Sequence, residues 1–321
     1  MGSAIDGRHS SGSGESPKAQ LGFGCAELFA GHASQKSHEL VDAAIEAGIK
    51  YFDTARLYGH GQAERILGQL SPSKRQKLTI ATKVGIFPIE MTLTWRLRVK
   101  TANVVRRIPG PLTRLVPPPS PLRPRFNAFS VDDLTRSVET SLRAMKIDRV
   151  DRLLLHECTP EVAQRPEVLD FLNGLKQQGK IRSFGTATGA DATIEIAQTA
   201  GDSFDCYQFA GGFGSSTLRE VRAVSNKVLV THSHLSSARD RLPKGVRLGD
   251  LAGVEGAEDV TIAEAFVALA LAKNANGLVL VSSSRPERFA RLARLREIKA
   301  EALSNLQTKL VGLMNGDQPG Q

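Results

Sequence analysis

The sequence has too few cysteines for a protein held together by disulfides, and its apolar runs are too short for a transmembrane protein. Its three cysteines, Cys25, Cys158 and Cys206, lie far apart and form no Cys-x-x-Cys pair. This spacing argues against a disulfide framework and suits a reducing compartment, so we expect a cytoplasmic protein. No stretch approaches the roughly 18 consecutive apolar residues of a transmembrane segment. The N-terminus also lacks the apolar segment of a secretory signal.

Aromatic side chains are scarce as well, at 5% of the 321 residues, so Leu, Val, Ile and Ala must fill most of the core. The apolar fraction of 41% is sufficient for a core of substantial size. Residues 1–19 are polar and rich in Gly and Ser, and we expect them to form a flexible tail. Residues 20–321 are predicted to form one domain.

After the tail, short β-rich runs alternate with helical patterns, which is the order typical of a parallel sheet. No Gly-x-Gly-x-x-Gly motif follows the first run, which disfavours a dinucleotide-binding Rossmann domain. Eight strand–helix pairs favour a closed barrel, so the predicted fold is an α/β (β/α)8 TIM barrel. The predicted strands span residues 21–25, 50–53, 78–83, 150–155, 181–186, 205–209, 228–231 and 277–281.

Helices are predicted between these strands, and the one that begins after Ser130 has the clearest start signal. Ser130 and Asp133 fit a capping box, and Leu134 and Val138 then lie on one face of the helix. The predicted helices span residues 37–47, 62–70, 131–146, 167–178, 191–200, 217–225, 261–273 and 286–299.

Four polar residues lie at or near the ends of consecutive predicted strands. Asp53 ends the second strand and Tyr58 follows it, while Lys83 ends the third and His156 comes directly after the fourth. Because parallel strands of a barrel end on one rim, we expect these side chains to converge. Taken singly, each also has a structural interpretation as a helix cap or a solvated charge.

The set has a chemical logic. An unperturbed tyrosine hydroxyl titrates near roughly 10, which is high for a proton donor at neutral pH. A lysine ammonium nearby lowers that pKa, and an aspartate holds the ammonium in place. A neutral histidine can orient a carbonyl oxygen by hydrogen bonding. These residue types therefore suit the polarisation of a carbonyl group while hydride arrives from a cofactor.

The segments around these residues resemble a known family. The run YFDTARLYG, with Glu64 and Gly68 after it, closely resembles the aldo-keto reductase signature. The runs ATKVG and LLH, which contain Lys83 and His156, resemble the lysine and histidine segments of that family. The resemblance covers roughly residues 21–300.

The resemblance implies a role for each residue of the set. It implies Tyr58 as the proton donor, Lys83 and Asp53 as the groups that tune it, and His156 as the residue that orients the substrate. Residues 129–156 look most like the aldose and galactose dehydrogenases, so a sugar is among the expected substrates.

The resemblance also implies a nicotinamide cofactor, with NADP(H) expected and NAD(H) left open. Gln208 matches the position that binds the carboxamide, and His232 stands where a tyrosine usually stacks on the nicotinamide. Ala187 and Thr188 replace a Ser-Asn pair of the family. The expected cofactor-binding residues are Gln208, His232, Ser233, Leu235, Ser282, Ser283, Ser284 and Arg288.

Residues 282–288 resemble the family segment that holds the adenosine 2′-phosphate. The guanidinium of Arg288 suits bidentate phosphate binding. Ser282 stands where many members have lysine, and Arg291 and Leu292 replace a Glu-Asn pair near adenine. The His-x-His run at His232 could suggest a metal, but no third ligand is indicated and no metal is expected.

Two predicted connections, 86–129 and 233–260, are too long for ordinary loops. Between Met91 and Val131 the first carries eight basic residues and no acidic one, which nearly equals the net charge of +9. Residues 87–99 alternate apolar with polar or proline residues, which predicts an extended ribbon with one apolar face. The basic residues are Arg96, Arg98, Lys100, Arg106, Arg107, Arg114, Arg123 and Arg125.

Three interpretations of this basic insertion remain open. A family member would place it over the substrate pocket, where its arginines could hold an anionic or polyhydroxylated substrate. Residues 87–125 could instead dock a membrane surface or an acidic partner. The third interpretation is a solvated loop that covers the rim of the barrel. Nucleic acid is not expected as a partner, because the chain lacks aromatic interleaving and a recognised binding module.

We therefore expect an NADP(H)-dependent oxidoreductase that acts on a small aldehyde, ketone or aldose. One alternative is a barrel that binds the cofactor but serves as a regulatory or scaffold subunit. Another is a phosphate-binding barrel enzyme that uses no nicotinamide.

Overall fold

A computed structural model describes residues 19–28, 34–88, 123–239, 242–244, 246 and 254–315. Eight strands pair in sequential order, all in parallel, and β8 closes the barrel onto β1. The (β/α)8 prediction is thus confirmed, and each strand lies within about one residue of its predicted bounds. The strands are β1 (Gln20–Gly24), β2 (Tyr51–Asp53), β3 (Thr79–Val84), β4 (Val150–His156), β5 (Ile181–Ala187), β6 (Cys206–Ala210), β7 (Val228–His232) and β8 (Leu278–Val281).

Helices cover the outside of this barrel, and most follow the predicted segments. The clearest exception is the predicted helix 286–299, which ends early and is followed by a separate C-terminal helix. The helices are α1 (Ser34–Glu46), α2 (Gln62–Gln69), α3 (Pro72–Arg75), α4 (Val131–Met145), α5 (Pro160–Ala163), α6 (Pro166–Gln177), α7 (Ala190–Thr199), α8 (Thr217–Val224), α9 (Ser236–Arg239), α10 (Ile262–Lys273), α11 (Arg288–Arg294) and α12 (Ala300–Asn315). Among the helices that the structure describes, none combines the length and the apolar composition needed to cross a membrane.

The strands are buried on both faces, as in other parallel sheets enclosed by helices. In β4, Leu153 and Leu155 belong to the large core between strands and helices. Leu154, between them, instead packs inside the barrel with Ala187 and Cys206. The continuous apolar run that marks β4 in the sequence therefore serves two different layers.

The structure differs from two local predictions, the end of the N-terminal tail and the capping box at Ser130 and Asp133. Ala19, predicted as the last residue of the tail, is buried and donates its N–H to the Leu271 carbonyl at 3.0 Å. Ser130 does cap α4, because its hydroxyl accepts the N–H of Asp133 at 3.2 Å. The Asp133 carboxylate, however, binds Arg125 at 2.6 and 2.8 Å.

The two ends of the basic insertion lie close together at the rim of the barrel. Phe87 and Arg125 exchange two backbone hydrogen bonds of 2.9 and 3.1 Å as an antiparallel bridge. The Arg125 guanidinium also lies 4.6 Å from the centroid of the Phe87 ring. Residues 89–122 lie outside the described residues. They include most of the predicted ribbon and six of the eight basic residues of the insertion.

Candidate active site

The four predicted catalytic residues meet at the mouth of the barrel, the rim formed by the carboxyl ends of the strands. Asp53 and His156 are the last residues of β2 and β4, and Lys83 is the last but one of β3. Tyr58 opens a short 3-10 turn after β2. The barrel thus brings together side chains that are up to about a hundred residues apart in sequence.

Lys83 links the members of this group. Its ammonium donates to Asp53 Oδ2 at 2.6 Å, to the Thr54 carbonyl at 3.1 Å and to the Tyr58 hydroxyl at 3.2 Å. The side chains of Lys83 and Asp53 are only 1% and 3% exposed. A buried ion pair is tolerated only where hydrogen bonds satisfy both charges. The three oxygens around Lys83 do this for the ammonium.

Burial and the ammonium act on the pKa of Tyr58 in opposite directions. Burial raises it, Lys83 lowers it, and the pKa of the hydroxyl ends above its ordinary value because burial is the larger influence. The lysine therefore acts in the direction expected from the sequence, and the larger, opposite effect of burial becomes visible only in the structure. At neutral pH the hydroxyl keeps its proton, as a proton donor must.

His156 faces Tyr58 across the mouth. The ring centroids are 6.3 Å apart and the rings are nearly perpendicular, at 87°. Burial lowers the pKa of His156 to about 3, and the positive charge of Lys83 adds to this effect. The imidazole is therefore neutral at physiological pH and can donate an N–H to a carbonyl oxygen without carrying a charge.

Residues with left-handed backbone conformations follow three strands at the mouth. Gly85 follows β3 with φ 110°, Glu157 follows β4 with φ 52°, and Ser233 follows β7 with φ 59°. Gly85 is also sterically required, since a Cβ there would lie 2.2 Å from the ring of Phe129. A glycine is a readable signal for such a turn. The turns at Glu157 and Ser233 could not be predicted from the sequence, because non-glycine residues seldom adopt positive φ.

Gln208 lies in β6 and reaches across the barrel. Its amide nitrogen donates to Asp53 Oδ2 at 3.3 Å. Gln208 Oε1 and Asp53 Oδ1 are both buried and have no hydrogen-bond partner among the described residues. Buried acceptors of this kind are costly unless a donor reaches them. They fit a ligand that carries amide N–H or hydroxyl donors, as the carboxamide and ribose of a nicotinamide nucleotide do.

His232, the last residue of β7, also faces the mouth. It contributes to the lowered pKa of His156, and its own pKa is lowered, chiefly by burial. Its Nδ1 lies 2.8 Å from the Oγ of Ser233. The structure therefore places His232 in the group formed by Gln208 and the four catalytic candidates, and the exposed Ser233 beside it.

The next two residues turn away from the mouth. His234 is buried and its Nδ1–H donates to the Gly211 carbonyl at 2.7 Å, which ties the loop after β6 to the end of β7. Leu235 packs against the hydrophobic core. Within the described residues, no group of three or more His, Cys, Asp or Glu side chains is arranged to hold a metal ion.

The predicted phosphate segment follows β8 at the same rim. The Ser282 hydroxyl donates to a carbonyl of β1 at 2.8 Å. The Ser283 hydroxyl accepts the Arg285 N–H at 3.0 Å and so forms a tight turn. Ser284 and Arg288 are exposed beside this turn. Their exposure leaves both side chains accessible to an anionic group in solution.

Arg291, one of the departures from the family pattern, is held by the protein itself. It donates to both carboxylate oxygens of Glu264, at 2.6 and 2.8 Å, and to the Asp259 carbonyl at 2.7 Å. Glu264 in turn completes a capping box with Thr261 at the start of α10. Arg291 therefore joins α11 to α10, a role that the sequence did not reveal.

Comparison with known proteins gives a consistent match. The aldo/keto reductase family model matches residues 20–228. A D-threo-aldose 1-dehydrogenase from Pseudomonas is 31% identical over 142 residues, 43% of this chain and 39% of that protein. A pyridoxal 4-dehydrogenase from Microbacterium luteolum is 28% identical over 217 residues, 60% of this chain and 58% of that protein. The chain spans about half the length of the curated relatives it matches.

Solved structures show the same fold over most of the chain. An aldo-keto reductase from Klebsiella pneumoniae in complex with NADPH has a TM-score of 0.65 at 19% identity, covering 92% of this chain and 95% of that one. The holo form of an aldo-keto reductase from Bacillus halodurans has a TM-score of 0.64 at 21% identity, covering 92% and 96%. These likenesses extend past residue 228, where the family match ends.

Proposed function

This chain belongs to the aldo/keto reductase family, and on that premise we propose that it is an oxidoreductase that transfers hydride between NADP(H) and a small aldehyde, ketone or aldose. The observation that carries the proposal is the hydrogen-bonded chain from Asp53 through Lys83 to Tyr58, with the neutral His156 facing it. This arrangement favours an enzyme over a regulatory or scaffold subunit.

In the proposed reaction, the residues at the mouth handle the proton and the polarisation. The nicotinamide, when bound, supplies or accepts the hydride. Tyr58 donates its hydroxyl proton to the carbonyl oxygen during reduction, and Lys83 stabilises the phenolate that remains. His156 donates an N–H to the same oxygen and fixes its position. Asp53 keeps the ammonium of Lys83 directed at Tyr58.

The cofactor proposal rests on two separate groups of residues. Gln208 Oε1 and Asp53 Oδ1 are unpartnered buried acceptors suited to the donors of the nicotinamide half. The exposed Ser284 and Arg288 suit the 2′-phosphate that distinguishes NADP(H) from NAD(H). A relative described as an NADH-specific methylglyoxal reductase, from Escherichia coli, makes this preference worth testing directly.

We also propose that the protein works in a reducing compartment such as the cytoplasm. All three cysteines are free thiols and all are buried. Burial raises the pKa of Cys158 to about 12 and that of Cys206 to about 11. Neither thiol would then react readily as a thiolate.

The proposed function is tested by a turnover screen of aldehydes, ketones and aldoses with NADPH and with NADH. We expect reduction of at least one carbonyl class, or oxidation of an aldose, with a preference for the phosphorylated cofactor. Tight cofactor binding without turnover of any compound would favour the regulatory alternative. Absence of binding to either cofactor would contradict the proposal as a whole.

A further inference from the structure

Resting on the proposed function, we propose that His232 makes the relative affinity for oxidised and reduced cofactor depend on pH. A protonated imidazole at the end of β7 would repel the positively charged ring of the oxidised nicotinamide. It would not repel the neutral ring of the reduced form in the same way. His232 would thus link proton binding to the redox state of the bound cofactor.

The strand register brings His232 beside the expected position of the nicotinamide. Gln208 of β6 pairs with Val230 of β7, and Ala210 pairs with His232. His232 therefore lies two residues nearer the mouth than Gln208, on the adjacent strand. Strand geometry puts the two positions roughly 8 Å apart. A carboxamide that meets the unpartnered Gln208 Oε1 would therefore place its ring within contact distance of the imidazole.

The direction of the His232 side chain follows from its neighbours. Val230, two residues earlier, packs inside the barrel, and alternate strand residues share a face. The charges of Asp53 on β2 and Lys83 on β3 both act on His232, and His232 in turn acts on His156 of β4. All three of these groups lie at the mouth.

The charges around His232 act on its pKa in opposite directions. Asp53 raises its pKa and Lys83 lowers it, while burial, the largest influence, lowers it. His156 of β4, and His234 on the turn after β7, have pKa values lowered to about 3 and about 4. Both are neutral near pH 7, and Gln208 on the adjoining strand β6 carries no charge. Glu157, which follows β4 at the mouth, has a pKa raised by burial and becomes neutral on acidification. Among the described histidines at the mouth, His232 is therefore the one that we expect to gain a positive charge first as the pH falls.

The sign of the effect follows from linkage. The pKa of His232 lies below its ordinary value, so the imidazole is neutral at pH 7 and gains a proton as the pH falls. The oxidised cofactor disfavours protonation of His232, so its affinity for the protein decreases as the pH is lowered. The reduced cofactor has little effect on this protonation, so its affinity changes little. The 2′-phosphate titrates near roughly pH 6 in both forms and cancels in the ratio of their affinities.

The test measures the dissociation constants of NADP⁺ and NADPH by calorimetry from pH 5 to pH 8. For the wild-type protein we expect the ratio of Kd for NADP⁺ to Kd for NADPH to rise on acidification, by up to about tenfold per pH unit below the pKa of His232. The variant His232→Phe keeps a flat ring without a titrating proton, so its ratio should be independent of pH. His38→Phe, on α1, should behave as the wild type.

A second measurement needs no variant. In NMR titrations of the wild-type protein, the pKa of His232 should be lower with NADP⁺ bound than with NADPH bound. A ratio independent of pH in the wild type, or an equal pKa in the two complexes, would overturn the proposal while the enzymatic function stands. Failure to bind either nucleotide would instead overturn the proposed function on which it rests.

Discussion

At the scale of single residues, the protonation states of Tyr58 and His156 decide how the proposed reaction depends on pH. Burial keeps the pKa of Tyr58 above its ordinary value despite the opposing Lys83, and His156 stays neutral because burial lowers its pKa to about 3. Reduction needs the protonated hydroxyl, and oxidation needs the phenolate. The two directions should therefore respond to pH in opposite ways.

We expect the reductive kcat to be flat between pH 6 and 9 and to fall only as the pH passes the pKa of Tyr58. The oxidative kcat should rise with pH throughout that range, by up to about tenfold per unit, as the phenolate fraction grows. Steady-state rates at saturating cofactor and substrate measure both profiles. An inflection near neutral pH in the reductive profile would show that another group donates the proton.

The residue types of the catalytic set could be read from the sequence, but their environment could not. Tyr58, Lys83, Asp53 and His156 were predicted from their places at strand ends, and the barrel brings them together. The lowering of the Tyr58 pKa by Lys83 was predicted, but the larger and opposite effect of burial was not, because burial depends on what packs around the hydroxyl. The pairing of Arg291 with Glu264 was missed for the same reason, since it joins residues of two helices.

At the scale of elements, the approach of α2 to α4 depends on one glycine. A Cβ at Gly68 would lie 2.2 Å from the Ala144 carbonyl oxygen, which is backbone and cannot rotate away. We expect Gly68→Ala to lower the free energy of unfolding by about 1–3 kcal/mol, because the two helices must move apart. Chemical denaturation monitored by circular dichroism measures this change.

Gly174, inside α6, provides a matched control. A Cβ there meets no atom within 4 Å, so Gly174→Ala should raise the free energy of unfolding by about 0.5–1 kcal/mol through helix propensity alone. If Gly68→Ala proved neutral or stabilising, the helices would have room that the structure does not show. The comparison separates packing from propensity, since both glycines are helical.

Strands were easier to predict than helices in this chain. Each strand is a short apolar run between turn signals, and the regular order of a barrel supports every individual prediction. The helix α12 was missed because no strand follows it, although Leu303, Leu306 and Leu310 have helical spacing and are buried. Its predecessor α11 was extended too far, since the apolar pattern continues through the break at residues 295–299.

At the scale of the whole molecule, the basic insertion can be tested apart from the barrel. Residues 88 and 123 flank the bridge between Phe87 and Arg125, so a short Gly/Asn linker can replace residues 89–122 and close a hairpin. The described catalytic and cofactor-binding candidates all lie outside this span, and changing the length of a connection changes the free energy of folding little. We expect a folded protein with unchanged NADPH affinity by calorimetry.

The kinetics of this shortened protein decide among the interpretations of the insertion. A raised KM, or a loss of kcat/KM that shrinks at high ionic strength, would favour arginines that hold an anionic substrate. Unchanged kinetics would favour a solvated loop or a docking surface. An unfolded product would contradict the expectation that the barrel folds without these residues.

Tyr58 is the proposed acid and base of the nicotinamide-dependent reaction, and the proposed function depends on it more than on any other residue. The most direct test compares the wild type with Tyr58→Phe, which removes only the hydroxyl that accepts the hydrogen bond from Lys83. Calorimetry should show nearly unchanged NADPH affinity, and single-turnover reduction of the best carbonyl substrate should slow by about a hundredfold or more. A variant that retains over about half of the wild-type rate would contradict the assignment of Tyr58 and, with it, the central claim.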